Sequence, residues 1–331
     1  MVSKDHGRHI DPHVHCRDWE QAYKATIGSV TKLARSQGIV AFVDMPNTSP
    51  PITTGELADR RIGSAREEGC LEGYYLNIGA TRDPAQVRQA AGVASTNPRV
   101  VGIKMYAGKS TGDLEISDEE GQRSVYSALV EAGYEGVLAL HCEDESLFDM
   151  SLWDPNRPYT WGIARPPAAE VESLRRQLAL ALEYNIKAHL HICHISVPEA
   201  VELVDSMRGK MRISCGATPH HLSISTEMMQ DPKGIVYKVN PPIRSAESVR
   251  EMRKLLKEGR IDIIETDHAP HSRAEKEFAP GKAAASYMSG IPSMDIYSMF
   301  LEGLRADGFT EDEIDRLTYR NVKKIYPKIK E

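Results

Sequence analysis

The sequence predicts a closed (β/α)8 barrel, and three observations carry that expectation. Apolar runs of strand length alternate with helix-like stretches along the 331 residues, an order that implies βαβ units and a parallel sheet. Eight such runs occur, at 8–15, 39–44, 74–80, 100–105, 137–141, 188–194, 211–217 and 261–266, and eight suit a closed barrel better than an open sheet. No glycine-rich turn follows the first run, as a doubly wound dinucleotide fold would require.

Taken in order, run 8–15 leads to a helical stretch at 22–36, run 39–44 to one at 56–68, and run 100–105 to one at 117–132. Run 137–141 leads to 171–184, and run 188–194 to 198–207. The charged tail after Ile314 reads as one more surface helix. No internal repeat, low-complexity tract or composition break marks a boundary, so one barrel domain over residues 1–331 is expected.

The composition, 41% apolar and 27% charged, is that of an ordinary globular protein. The net charge of −6 has both signs interspersed, which leaves no basic footprint for nucleic acid. No run of about 18 apolar residues suggests a spanning helix, and the N-terminus lacks the apolar core of a signal peptide. Five cysteines without paired spacing give no disulfide framework. A cytoplasmic location is expected.

In a barrel, chemistry sits at the C-terminal ends of the strands. The first run ends in His13-Val-His15-Cys-Arg17, whose two histidines share one face of an extended chain and make half a metal site. Run 4 holds Lys104 among apolar residues, a costly placement unless the amine is neutralised, paired or modified. Run 5 ends at His141, run 6 at His194, and run 8 leads into Glu265-Thr-Asp267-His-Ala-Pro-His271. Four histidines, a carboxylate and one anomalous lysine converging on one rim point to a metal centre.

Run 6 contains three histidines. His194 lies last and shares parity with Leu190 and Ile192, so alternation assigns it the inward face and His191 the helix-facing side. The same alternation turns Cys16, Cys142 and Cys193 away from the neighbouring histidines, as small buried hydrophobes. His220 and His221 read as supporting residues, and His6 and His9 as chemically idle.

Together with Met45-Pro-Asn47-Thr, Leu140-His141-Cys-Glu, Ile192-Cys-His194 and Asn240-Pro-Pro-Ile-Arg244, these motifs resemble the dihydroorotases of the amidohydrolase superfamily, from His9 to about Met294. The resemblance implies two Zn2+ per chain, one held by His13, His15 and Asp267 and the other by His141 and His194. Lys104, carboxylated, would bridge them. It implies further that Arg17, Asn47 and His271 hold a substrate carboxylate, that Asn240 lies near the pyrimidine ring, and that Asp267 shuttles the catalytic proton. The implied reaction interconverts (S)-dihydroorotate and N-carbamoyl-L-aspartate, in UMP biosynthesis, through metal-activated water.

The stretch 107–113 is placed where a lid would close over substrate. Most relatives add a small β-sandwich. Only about eight residues precede the first metal strand and nothing β-rich follows Tyr319, so a barrel without that sandwich is expected. A homo-oligomer and association with aspartate carbamoyltransferase stay open. The rival readings are a hydantoinase or allantoinase, whose substrates lack the carboxylate that Arg17 and His271 would bind. A non-catalytic scaffold for aspartate carbamoyltransferase is the third, and such scaffolds commonly lose metal ligands.

Overall fold

The structure is a computed structural model that describes residues 8–109 and 114–330. Its eight strands are β1 (His9–Val14), β2 (Ile39–Asp44), β3 (Tyr74–Gly79), β4 (Val100–Ala107), β5 (Val137–Cys142), β6 (His189–Ile192), β7 (Ile213–Ala217) and β8 (Ile263–Ile264). They pair in sequence order, each parallel to the next. Past β8, His268 forms a parallel bridge to Val14, and the His15 amide donates to the His268 carbonyl at 2.8 Å. That contact closes the ring. Among the described residues this barrel sheet is the one sheet.

Helix starts follow side-chain chemistry. Thr26 and Ser29 form a reciprocal capping box on the helix Ile27–Ser36, while Asp83 caps Pro84–Thr96 and Asp118 caps Glu119–Glu131. The expected helix at 22–36 therefore begins at Ile27, because Thr26 satisfies its first amides.

Outward strand residues such as Phe42, Leu76, Ile103, Leu138, Leu190 and Ile192 pack against the helices in the main apolar core. The inward face divides into two halves. Its lower half is apolar, with Ile10, Ala41, Val43, Tyr75, Val101, Val137 and Ile263 packed on Val322, Ile325, Tyr326 and Ile329. The tail after Ile314 is thus a plug under the barrel, not the expected surface helix. The upper half is polar and buried: Asn77, Lys104, His141, His191, Ser214 and Glu265. Residues 110–113 of the expected lid lie outside the described residues.

Candidate active site

The groups expected to carry chemistry converge where the strands end. Among the described residues six non-glycine positions have positive φ, and five of them are Arg17, Asp18, Trp19, His194 and Asp267. Such backbone costs on the order of 1–3 kcal/mol per residue and persists where the surroundings over-determine it. The strain therefore marks the rim that folding has been forced to build.

His13 Nε2 and His15 Nε2 approach Asp267 Oδ1 at 3.3 and 2.9 Å. The ligand atoms of these three residues all lie within 4.8 Å of one another. Opposite them, His141 Nδ1 faces His194 Nε2 at 3.3 Å, and the His13 and His194 rings are 5.1 Å apart. Burial, reinforced by Lys104, lowers His13 to about 4. Burial also lowers His141, and it carries His194 well below the ordinary range. These imidazoles are neutral at pH 7, the form that binds metal. Burial alone would raise Asp267, but the His15 hydrogen bond and the charges of His13 and His15 hold it below the usual carboxylate range.

The donor set fits a metal centre. Four imidazoles and a carboxylate are buried together, and His194 Nδ1 is buried without a hydrogen bond. Asn47 Oδ1 lies 2.8 Å from His15 Nδ1, which fixes the tautomer that presents Nε2 to the centre. Lys104 is fully buried beneath it, with Nζ 3.0 Å from Cys193 Sγ.

Strand 6 departs from the parity argument. Leu190 and Ile192 face the helices, so His191 and Cys193 point inward. His194 still reaches the rim, because β6 stops at Ile192 and the backbone turns at His194, φ 41°. Cys16 and Cys142 do lie in the outer apolar layer. His220 and His221 are buried on Ser293 and on Thr218 and the Pro241 carbonyl, His9 is bonded to Thr318, and His6 lies outside the described residues.

Glu265 was missed by sequence reasoning. It is fully buried, sits 3.4 Å from His13 Nδ1 and 3.2 Å from His191 Nε2, and accepts from the His194 amide. Its carboxyl is held below the usual range: burial opposes this, and His191 and His13 outweigh it. The signal was a carboxylate two residues before Asp267.

A second cluster lies beside the first. Arg17 is 2% exposed, donates Nε–H to the Pro270 carbonyl at 3.1 Å, and brings Nη2 to 3.0 Å from His271 Nε2. Lys24 Nζ lies 3.2 Å from His271 Nδ1, and the Ser289 carbonyl lies 3.0 Å from Nε2. An ammonium can only donate, so Nδ1 accepts and Nε2 carries the proton. The Arg17 N–H then meets another N–H, a donor-rich corner suited to an anion. Lys24 was not expected there; its other partner is Glu275 at 2.8 Å. Asn240 lines the same pocket with Arg17, Asn47, His141 and Asp267, and its Oδ1 accepts from Trp161 Nε1 at 3.1 Å.

The strained turn that aims Arg17 is braced from behind. Asp44 Oδ1 accepts from the Cys16 amide at 3.0 Å. Its Oδ2 accepts from Arg61 Nε and Nη2 at 2.9 and 2.8 Å and from Tyr74 Oη at 2.7 Å. The Trp19 ring lies over Arg60 and Arg61.

A parallel eight-stranded barrel with a buried His/Asp cluster over strands 1, 5, 6 and 8 defines the class: a metal-centre barrel of the amidohydrolase kind. Two solved structures share the fold. An L-hydantoinase from Arthrobacter aurescens superposes with a TM-score of 0.85 at 22% identity, covering 96% of this chain and 70% of that one. A dihydroorotase from Campylobacter jejuni superposes at 0.71 with 18% identity, covering 97% and 83%. No family model matches. In sequence, a dihydroorotase from Halobacterium salinarum is 31% identical over 318 residues, which are 96% of this chain and 68% of that protein. The chain belongs to the dihydroorotase family.

Proposed function

We propose that the protein interconverts (S)-dihydroorotate and N-carbamoyl-L-aspartate, the ring-closing reaction of pyrimidine biosynthesis. Two zinc ions would be held by His13, His15 and Asp267 and by His141 and His194, with Lys104 as a carboxylated bridge. The observation that carries the choice of substrate is the donor-rich corner of Arg17, Lys24 and His271 beside the histidine cluster. A ring amide bearing a carboxylate satisfies both halves of that arrangement at once. Sequence relatives named dihydroorotase support the same reading.

Zinc, when bound, supplies activated water at neutral pH and polarises the ring carbonyl. The chain's residues do the rest. Arg17 and His271 fix the carboxylate, which orients the ring over Asp267. Asp267, held in its charged form, takes the proton from water and returns it to the departing ring nitrogen. Ring closure retraces these steps: the same carboxylate takes the proton from the attacking ureido nitrogen and gives it to the departing oxygen. Glu265 orients His13 from below, and Asn47 orients His15.

Hydantoinase is the rival that the fold neighbours keep in view. Its ring lacks a carboxylate, and the Arg17 corner would then face no anion. The scaffold reading loses ground because every ligand position is filled. The deciding experiment assays dihydroorotate, hydantoin and allantoin with defined zinc, for the wild type and Arg17→Ala. Dihydroorotate should be the preferred substrate. Arg17→Ala should lower its kcat/KM by about 30-fold or more, since breaking a buried charged pair costs on the order of 2–5 kcal/mol. Preference for hydantoin, or an equal loss on a neutral ring, overturns the assignment.

A further inference from the structure

A second cavity of about 510 Å³ lies beside the metal pocket. The two share Asn240 and Ser289 in their walls, so those residues form the partition between them. The inner pocket is much the smaller of the two, at about 30 Å³. The outer chamber has room for a six-membered ring with a carboxylate.

The walls of that chamber are aromatic and cationic. Phe148, Trp161 and Tyr287 contribute aromatic rings, while Lys109, Arg165 and Lys238 give positive charge; among the described residues Glu145 is its one acidic wall residue. Arg165 is paired with Glu143, and its guanidinium lies 4.4 Å from the Phe148 ring centroid. Lys238 is different. It is 7% exposed, its Nζ donates to the Tyr287 carbonyl at 2.7 Å and to Ser289 Oγ at 3.0 Å, and it sits 4.0 Å over the Trp161 ring. Behind it Lys276, also buried, donates to the carbonyls of Lys238 and Met288.

Among the described residues neither lysine has a carboxylate partner. Burial and then Arg165 lower Lys238 to about 7; burial and then Lys238, Lys282 and Arg17 lower Lys276. The charges that lower the pair are positive, in a chain whose net charge is −6. The charged forms of these two amines are disfavoured in the empty protein, and an anion beside them would favour those forms.

We propose that the outer chamber is an anion-capture site. A ring-sized carboxylate docks against Trp161 with its charge toward Lys238 and Lys109, and then passes Asn240 and Ser289 to reach Arg17. The site rests on the functional reading above only in naming a cyclic ureide carboxylate as the ligand. Its positive walls offset the repulsion that an acidic protein exerts on an anionic substrate, and focus that substrate at the mouth.

The test uses the zinc-loaded enzyme with Lys109→Met, Lys238→Met and the double variant. Initial rates are measured on dihydroorotate and on neutral dihydrouracil at low and high salt. The expected result is a kcat/KM on dihydroorotate about threefold lower for Lys109→Met and about tenfold or more lower for the double variant at low salt. The loss should be carried by KM, shrink in high salt and be absent on dihydrouracil. Salt slopes equal to wild type, or equal losses on both rings, overturn the proposal.

A second arm does not depend on turnover. Orotate, a planar carboxylate, is titrated while tryptophan emission is followed. Saturable quenching is expected in wild type, with weaker affinity in the lysine variants and loss of the signal in Trp161→Phe. Absence of quenching, or quenching indifferent to both lysines, overturns the chamber even if dihydroorotate is the substrate. Conversely, quenching with the expected variant dependence upholds the chamber even if neither ring is turned over, which would defeat only the functional reading.

Discussion

Asp44→Asn separates the support of the Arg17 turn from the turn itself. The change keeps an oxygen for the Cys16 amide but removes the charge that receives two Arg61 N–H groups at 2.9 and 2.8 Å. Arg61 is fully buried, so its guanidinium loses its main counter-charge. Breaking such a pair costs about 3–5 kcal/mol. With unfolding entropy of about 2.1 cal/mol/K per residue, a chain of 331 residues has about 0.7 kcal/mol/K, so the expected drop in Tm is about 4–7 °C. The turn Arg17–Asp18–Trp19, at φ 58°, 61° and 48°, should then relax. Arg17 would lose part of a charged hydrogen bond worth about 1.5–3 kcal/mol, a rise in KM for dihydroorotate of about tenfold or more. Calorimetry and steady-state kinetics read the two effects, and zinc content should hold. In an Arg17→Ala background Asp44→Asn should add little to the kinetic loss, because both act through one contact. Full additivity, or a wild-type Tm with a wild-type KM, would refute the bracing argument.

Four other outcomes are expected. Asp267→Asn should retain part of the zinc and lose both directions of the reaction; near-normal rates with full metal would assign the proton to another residue. Because ring opening needs Asp267 charged and releases a net proton that closure must take up, the rate profiles of the two directions should be displaced, with closure favoured on the acid side. Coincident profiles would count against its shuttle role. Elemental analysis should find two zinc ions per chain, and a chelator should lower Tm as well as abolish turnover, since metal binds the folded state. Tyr326→Ala should cost about 3–5 kcal/mol by opening the plug, whereas Tyr326→Phe should be neutral or stabilising, because the buried Tyr326 hydroxyl has no hydrogen bond. Equal Tm losses for both would show that the hydroxyl matters.

Much of this was legible in the residues, and the failures have physical causes. Strand-length runs and His-x-His spacing are local signals, so β1 to β7 and the pair His13 and His15 could be read directly. β8 was overextended, since the run 261–266 keeps ladder pairing only at Ile263–Ile264 before turning toward Asp267. Alternation picked out the histidine of run 6 that the structure brings to the rim, but for the wrong reason. It assumed that the strand continues to His194, whereas β6 ends at Ile192 and a left-handed residue reverses the direction. The same error placed His191 and Cys193 on the outer face. The plug was hidden by charge: Val322, Ile325, Tyr326 and Ile329 recur at helical spacing, but lysines between them gave the segment a surface character. Lys24 beside His271 joins residues 247 apart, a contact that no local pattern announces.

These misses and the site share one origin. A barrel interior of this size is ordinarily filled by side-chain layers, and here the upper layer is given over to Lys104, His141, His191 and Glu265. Such groups are tolerable when buried only if they are hydrogen-bonded, paired or metal-bound. The apolar layer is correspondingly pushed down to the floor and completed by the C-terminal plug. The backbone must also leave regular strand geometry to bring His194 and Asp267 over that polar layer, and the Asp44–Arg61 pair holds the turn that does the same for Arg17. Local propensity therefore describes the wall of the barrel well and its rim badly. The rim is shaped by what the buried charges require of one another, and those requirements act across the barrel between residues far apart in sequence.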